Sequence, residues 1–132
     1  MALAATDLNW IAVLLAAVSA FVLGGLWYGP LFKRAWCREA GIDPSTVRHP
    51  KLVFAVAFLC SFLAALMFEV FLGRDASAAS GFGAGFVVGV FFVAMSFGIN
   101  YAFSGRTVRL WTIDAGYHIA QFSLYGLILG AA

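Results

Sequence analysis

LWTIDAGYHIAQFSLYGLILG, residues 110–130, is apolar enough to cross a bilayer, yet four polar side chains recur along it. Steps of four, three and four residues separate them, and at about 100° per residue these steps keep all four within roughly 60° on one helix face. We call Asp114, His118, Gln121 and Tyr125 the polar stripe. An Asp at the membrane centre costs roughly 2.5 to 3.5 kcal/mol on insertion scales, so these residues need partners or a function.

The composition of the chain is that of an integral membrane protein. Of its 132 residues, 64% are hydrophobic and 11% are charged, whereas soluble domains are about 45–50% apolar and about 25% charged. The net charge of +2 gives no reason to expect nucleic acid as a partner. At roughly 20 residues per span, the chain can hold four membrane helices as a single membrane domain, 1–132, and no soluble catalytic domain besides.

Apolar stretches lie at about 8–30, 51–72, 81–103 and 110–130, separated by polar or turn-forming residues. Each can cross about 30 Å of hydrocarbon as an α-helix, and none shows the alternation of membrane β-strands. The sequence therefore predicts an all-α integral membrane protein with four transmembrane helices in a compact bundle. The first stretch follows no Lys or Arg and extends to Tyr28, so we interpret it as a span, not a signal peptide.

Basic residues are concentrated in two of the three connections between these spans. Seven lie in the first and third connections: Lys33, Arg34, Arg38, Arg48, Lys51, Arg106 and Arg109. Only Arg74 lies in the second. Because Lys and Arg favour cytoplasmic loops, we expect both basic connections in the cytoplasm. The prediction is a multi-pass protein of the bacterial inner membrane, with both termini periplasmic or extracytoplasmic.

Residues 31–41 predict a short amphipathic helix at the interface, between the first and second spans. Its apolar face carries Phe32, Ala35 and Trp36, and basic side chains lie on the other face. Gly41 is expected to end the helix. The basic face has two interpretations: it binds anionic headgroups, or it only sets the topology.

Small residues recur every fourth position in the first and third stretches. The two rows are Gly81, Gly85 and Gly89, and Ala12, Ala16, Ala20 and Gly24. Such rows let helix backbones approach closely in a membrane, where association depends on van der Waals packing. They predict close helix packing, either within one chain or between copies in a homo-oligomer.

The polar stripe gains two neighbours when depth is counted at 1.5 Å per residue. Asn100 reaches about the depth of Asp114, and Glu69 about the depth of Tyr125. One hypothesis is a ladder that carries a proton, since intramembrane Asp, Glu and His side chains serve as relays. The other is structural: Asp114 and His118 hydrogen-bond each other and Asn100, and so fix the helix register.

The sequence lacks the motifs of common cofactor sites and catalytic centres. His118 is the one histidine within a span, which argues against a bis-histidine haem, and neither HExxH nor GxSxG occurs. Cys37 and Cys60 have no metal-type spacing. We therefore expect no metal, no other cofactor and no enzyme activity. Near the span ends, where amphipathic rings anchor helices, lie Trp10, Trp27, Trp36 and Trp111.

An ordered set of short motifs resembles one bacterial family. The motifs are Asn9-Trp10, GGLWYGPL at 24–31, Asn100-Tyr101 with Gly105-Arg106, and DAGYH at 114–118. They are similar to the small four-span membrane proteins grouped as domain of unknown function 1761. The resemblance implies a fold and a membrane location, without an established activity. The residues it emphasises are Trp27, Tyr28, Asn100, Tyr117 and His118, all but the last at the cytoplasmic end. With Tyr101 and Arg106, we predict a cytoplasmic-end cluster of Trp27, Tyr28, Tyr101, Arg106 and Tyr117.

Two functional hypotheses follow from these patterns. In the first, the protein forms oligomers or is an accessory subunit of a membrane assembly, because it has many small-residue faces and little polar surface. Its partners would then be the lipid bilayer and either copies of itself or other membrane proteins. In the alternative, it is a small transporter or channel for a proton, ion or small polar solute that uses the polar stripe.

Overall fold

A computed structural model of the protein describes residues 7–46 and 49–132, and Arg48 lies outside these ranges. The described part is helical and contains no strand, which confirms the all-α prediction. The helices are α1 Trp10–Leu26, α2 Lys33–Ala40, α3 Pro50–Leu72, α4 Ala78–Val88, α5 Met95–Phe103 and α6 Val108–Ala131. A π-helical turn, Trp27–Leu31, extends α1, and a π-helical segment, Gly89–Ala94, joins α4 to α5. Pro44–Thr46 forms a short 3-10 turn.

Within the described residues, three helical stretches are long and apolar enough to cross a membrane: Trp10–Leu31, Pro50–Leu72 and Ala78–Phe103. They coincide with three of the predicted spans and indicate a membrane protein. α6 is also long enough, at 24 residues, but the polar stripe makes it less apolar than α1 and α3. Its assignment as a fourth span therefore stays a prediction.

The helix ends fall at residues whose chemistry favours them. The Asn9 side chain accepts a hydrogen bond from the Ala12 amide and caps α1, and Thr107 caps α6 in the same way. Pro50 occupies the first turn of α3, where its missing N–H is not needed. Gly41 ends α2 with a φ of 68°, as predicted, because glycine adopts this left-handed conformation without a Cβ clash.

The glycine row of α4 packs against α6 within the same chain. The facing pairs are Gly81 with Gly126, Gly85 with Phe122, and Gly89 with Ile119. At every pair a Cβ on the glycine of this row would overlap backbone atoms of α6. At Gly89, the first residue of the π-helical segment after α4, it would lie 2.6 Å from the Ile119 Cα. Because Gly85 is needed for the fold of a single molecule, this row gives no separate evidence for contact between copies.

The alanine row of α1 is also buried inside the chain. Ala12, Ala16 and Ala20 are each at most 2% exposed. Gly24 continues the row beside the Tyr117 ring, which a Cβ would contact at 3.6 Å. Two residues of the row, Ala16 and Ala20, belong to the core, which consists of Val13, Ala16, Ala20, Ala65, Phe68 and Tyr125. Both predicted rows are therefore used to hold the helices of one chain together.

Contacts at the two ends of the helices group the connections. At one end, Arg106 Nη1 donates to the Ala40 carbonyl at 3.3 Å, so the connection before α6 lies against α2. At the other end, Arg74 donates to the Asp7 carbonyl, so the N-terminal segment lies beside the connection between α3 and α4. The two basic connections thus share one end of the molecule, which we call the α2 end.

Candidate functional site

Asp114 is the centre of a buried hydrogen-bond cluster at the α2 end. The carboxylate Oδ1 accepts from the Tyr28 hydroxyl at 2.6 Å and from Trp36 Nε1 at 2.9 Å, and Oδ2 accepts from the Tyr101 hydroxyl at 2.5 Å. Asp114 is only 8% exposed. A buried carboxylate is costly unless its oxygens are hydrogen-bonded, and three donors on two oxygens meet that need. We call Asp114, Tyr28, Trp36 and Tyr101 the Asp114 cluster.

The kink after α1 brings two of these donors to the same oxygen. Gly29 has a non-helical conformation, with φ of −100° and ψ of −105°, and Pro30 cannot donate the next helical hydrogen bond. The chain therefore turns into α2, whose apolar side carries Trp36 back towards Asp114. The Tyr28 and Trp36 rings meet edge to face, with centroids 5.5 Å apart.

Trp27 and Tyr117 fasten α1 to α6 next to this cluster. Trp27 Nε1 donates to the Ile113 carbonyl at 2.9 Å, and the Tyr117 hydroxyl donates to the Ala20 carbonyl at 3.0 Å. Gly116 makes room for the indole, since a Cβ there would lie 2.9 Å from Trp27 Cζ2. The structure thus brings Trp27, Tyr28, Tyr101 and Tyr117 together, whereas Arg106 lies at the same end but is exposed and bonds to α2.

The rest of the polar stripe forms a second, separate chain of hydrogen bonds. His118 Nδ1 lies 2.6 Å from Gln121 Oε1, and Gln121 Nε2 donates to the Tyr125 hydroxyl at 2.7 Å. That hydroxyl lies 2.6 Å from Ser61 Oγ and donates to the Ser61 carbonyl at 3.1 Å. Ser61 Oγ in turn donates to the Ala17 carbonyl at 3.2 Å. His118, Gln121, Tyr125 and Ser61 are called the polar chain below.

The structure divides the predicted ladder into these two networks. Asn100 and Glu69, the residues expected at its ends, form hydrogen bonds elsewhere. The expected hydrogen bond between Asp114 and His118 does not form in the described part of the chain, because aromatic donors take the Asp114 oxygens and Gln121 takes His118 Nδ1. Asn100 is exposed, and its carbonyl accepts from the Ser104 hydroxyl. Glu69 Oε1 accepts a hydrogen bond from the backbone N–H of Asn9 at 2.7 Å, so Glu69 lies at the N-terminal end of α1.

An open cleft adjoins the polar chain beside the first half of α3, which meets α1 where Phe54 and Phe58 pack on Phe21, at 6.4 and 5.5 Å between ring centroids. Residues 51–57 are all exposed, and the buried residues of α3 begin only at Ser61. A cavity of about 540 Å³ lies between α1, α3 and α6, with Phe21 and Phe54 in its walls. A second cavity of about 360 Å³ adjoins it and has Gln121 and Ser61 among its lining residues. We call both cavities together the cleft; their shared lining is Phe21, Ala57, Tyr117 and His118.

Sequence reasoning missed the roles of Trp36 and Ser61. The position of Trp36 near a span end predicts an interfacial anchor, but its indole N–H donates a hydrogen bond to Asp114. Trp36 lies on the apolar side of a short helix that follows a Gly-Pro pair. This position is the sequence signal that its side chain points into the protein. Ser61 lies in a small-residue row, Ala57, Ser61 and Ala65, where its hydroxyl gives no sign of a partner 64 residues away.

The residues of the Asp114 cluster lie within a stretch that matches a described family. Residues 11–130 match the family described as Protein of unknown function (DUF1761). The chain belongs to this family. The match covers nearly the whole chain and confirms the resemblance found from the motifs. No curated protein and no solved structure matches the DUF1761 chain.

Proposed function

We propose that this DUF1761 protein is an accessory protein of the bacterial inner membrane that binds a lipid-phase component in its cleft. In this proposal α6 is a fourth span, enclosed by the other helices rather than surrounded by lipid. The enclosure offsets the cost of its polar stripe, since polar groups inside a membrane face the protein interior and pair with one another. Asp114 and Gln121 are both buried, and both are fully engaged in hydrogen bonds.

The outer surface supports the membrane location. Large apolar side chains are exposed on every apolar helix, among them Leu15, Leu63, Phe91 and Phe92, each more than half exposed. A soluble monomer rarely exposes apolar patches of such extent. Such a surface is stable in contact with lipid chains, whereas its exposure to water is unfavourable.

The basic α2 end is proposed to face the cytoplasm. An impermeant maleimide added to intact cells should label Asp75→Cys in the connection between α3 and α4, but not Ser104→Cys, with Cys37 and Cys60 replaced in both. The reverse pattern would place the α2 end outside. Equal labelling of both positions in intact cells would contradict the four-span arrangement.

The cleft is the observation that carries the binding proposal. A cavity of about 540 Å³ is within the 300–1,000 Å³ range of ligand pockets, which are mostly apolar with a few placed polar groups. Its walls are apolar at Phe21, Phe54 and Ala57, and His118 supplies a polar group. Inside a membrane such a space is filled by some component of the membrane, and a selective occupant gives the protein a task.

Conduction of ions or polar solutes has less support. Asp114, the strongest candidate for a relay, has both oxygens engaged by three donors, and no hydrogen-bond chain among the described residues links it to His118. The cleft walls are mainly apolar. A transport path needs polar groups along its length.

Photo-crosslinking in cells tests the proposed function. A benzophenone amino acid at Phe54, in the wall of the cleft, should give an adduct of one discrete mass. The same amino acid at Leu59, which is exposed on α3 but lines neither cavity, should give only the mixed adducts of bulk lipid. Identical mixed adducts from both positions would contradict a selective occupant, and a protein-sized adduct from Phe54 alone would identify a partner helix.

A further inference from the structure

The direction of the polar chain fixes the tautomer of His118. Gln121 Nε2 donates to Tyr125, so Gln121 Oε1 is left to accept, and it lies 2.6 Å from His118 Nδ1. An amide oxygen cannot donate. The proton of the neutral imidazole is therefore on Nδ1, and Nε2 carries a lone pair that can accept a hydrogen bond.

The Nε2 atom is not fully buried, and the His118 side chain lines both cavities of the cleft. Among residues 7–46 and 49–132, no hydrogen-bond partner is found for it. Glu69 Oε2 is the one side-chain N or O atom of those residues that is fully buried without a hydrogen-bond partner. His118 Nε2, which has no partner among them, is therefore not fully buried. The ring itself is held in place, stacked on Phe97 at 4.9 Å and edge to face with Tyr117 at 5.0 Å between centroids. A rigid acceptor thus faces a mainly apolar space.

We propose that the cleft binds an amphiphile whose hydroxyl group donates a hydrogen bond to His118 Nε2. This inference rests on the proposed function and names the chemical class of the occupant. The apolar body of the ligand lies along the paired rings of Phe21 and Phe54 and beside Gly25 and Gly29, where a Cβ would meet nothing within 4 Å. A long-chain alcohol and a lipid-phase hydroquinone share this chemistry.

Hydrogen-bond complementarity favours a hydroxyl ligand over the other occupants. An acyl chain has no donor, and a ketone or ester has only acceptors, so either leaves the imidazole lone pair unpaired in an apolar space, which is unfavourable. A partner helix satisfies its own backbone N–H groups internally and so does not by itself supply a donor. A hydroxyl at the head of an apolar chain meets both requirements.

A matched pair of probes tests this inference in the full-length protein in lipid nanodiscs. The probes are 1-hexadecanol and 1-methoxyhexadecane, which differ in the donor and have the same chain. Carbon-13 methyl labelling of Ala57 reports whether the cleft is occupied. Nitrogen-15 labelling of the two histidines reports a hydrogen bond at His118 Nε2, and the exposed His49 serves as the reference.

Both probes should shift the Ala57 methyl signal, with the ether binding roughly fivefold to tenfold more weakly, as expected for one lost hydrogen bond. Only the alcohol should shift the His118 Nε2 signal. If both probes bind equally and neither moves Nε2, the hydroxyl inference is wrong while the cleft remains a binding site. If neither probe moves Ala57, a hydroxyl amphiphile is not the occupant, and a Phe54 adduct of protein size would then assign the cleft to a helix.

His118→Phe gives a second readout, because it keeps a flat ring against Phe97 and removes the acceptor. In this variant the alcohol should lose its advantage over the ether, and both should bind with the affinity of the ether in the natural protein. A preference for the alcohol that survives the substitution would contradict the role of Nε2.

Discussion

The two sides of α6 differ in how closely their neighbours approach. On one side, α4 lies so near that a methyl group on Gly81, Gly85 or Gly89 would overlap the α6 backbone. On the other side, the exposed first half of α3 borders the cleft beside His118. We call the side that faces α4 the close side and the side that faces the cleft the open side. Glycines allow the approach on the close side, whereas the polar chain, Phe21 and Phe54 border the open side.

This difference separates the part of the molecule that holds the fold from the part that is free to bind. On the close side and in the Asp114 cluster, the small residues and the polar groups contact other residues of the same chain. The cleft keeps an unpaired acceptor and open volume. Substitutions on the two sides should therefore affect different properties: stability on the close side, and binding on the open side.

The largest effect is expected for Gly85→Leu. The side chain would overlap the carbonyl of Phe122, and helix backbones cannot move apart without loss of the whole contact. Destabilisation by more than about 4 kcal/mol should leave little folded monomer after detergent extraction, as measured by thermal unfolding. The matched control is Gly83→Leu in the same helix, where a Cβ meets nothing within 4 Å. Equal stability of the two variants would contradict the close side.

The second largest effect is expected for Asp114→Leu. Three donors lose their acceptor, and each unpaired buried group costs about 1–3 kcal/mol, so the loss should be about 3 kcal/mol or more. Asp114→Asn keeps one acceptor oxygen and should lose less. Thermal unfolding in one detergent measures both, with the exposed Asp75→Leu as the control. A stable Asp114→Leu protein would show that the cluster does not hold α1, α2, α5 and α6 together.

A smaller effect is expected for Trp36→Phe, which removes one hydrogen bond to Asp114 and keeps most of the ring contact with Tyr28. The loss should be about 1 kcal/mol. Because Tyr28 and Trp36 share Oδ1, the double variant with Tyr28→Phe should not equal the sum of the single variants. If Trp36→Phe changes nothing and the two effects add, Trp36 is an interfacial anchor after all.

The smallest effect on stability is expected for Ala57→Trp. Ala57 is exposed and lines both cavities, so an indole there fills the cleft without displacing the core. The change in unfolding free energy should be within about 0.5 kcal/mol, as for other surface substitutions. A large loss of stability would mean that α3 closes against the other helices and that the cleft is not open.

The helices could be predicted from the sequence because their causes are local. Apolar length, the caps at Asn9 and Thr107, and Gly41 at the end of α2 depend on neighbouring residues only. The small-residue rows predicted close packing correctly, but their spacing is the same for contacts within a chain and between copies. The backbone overlaps at Gly81, Gly85 and Gly89 decide that question.

The site could be predicted only in part because its contacts span long distances along the chain. The polar stripe marked Asp114 and His118, but Trp36 meets Asp114 across 78 residues through a kink whose angle no periodicity specifies. Depth counting placed Asn100 and Glu69 at suitable levels but not on the side that faces α6. The cleft is lined by residues of α1, α3 and α6, so no single stretch predicts it.

The central claim is that the open side of α6 holds a selective occupant. Native mass spectrometry of protein extracted with its surrounding membrane tests this most directly, comparing the natural protein with Ala57→Trp and with the matched control Leu59→Trp. We predict one bound mass on the natural protein and on Leu59→Trp, and its loss from Ala57→Trp at unchanged stability. The same bound species on all three proteins would contradict the claim.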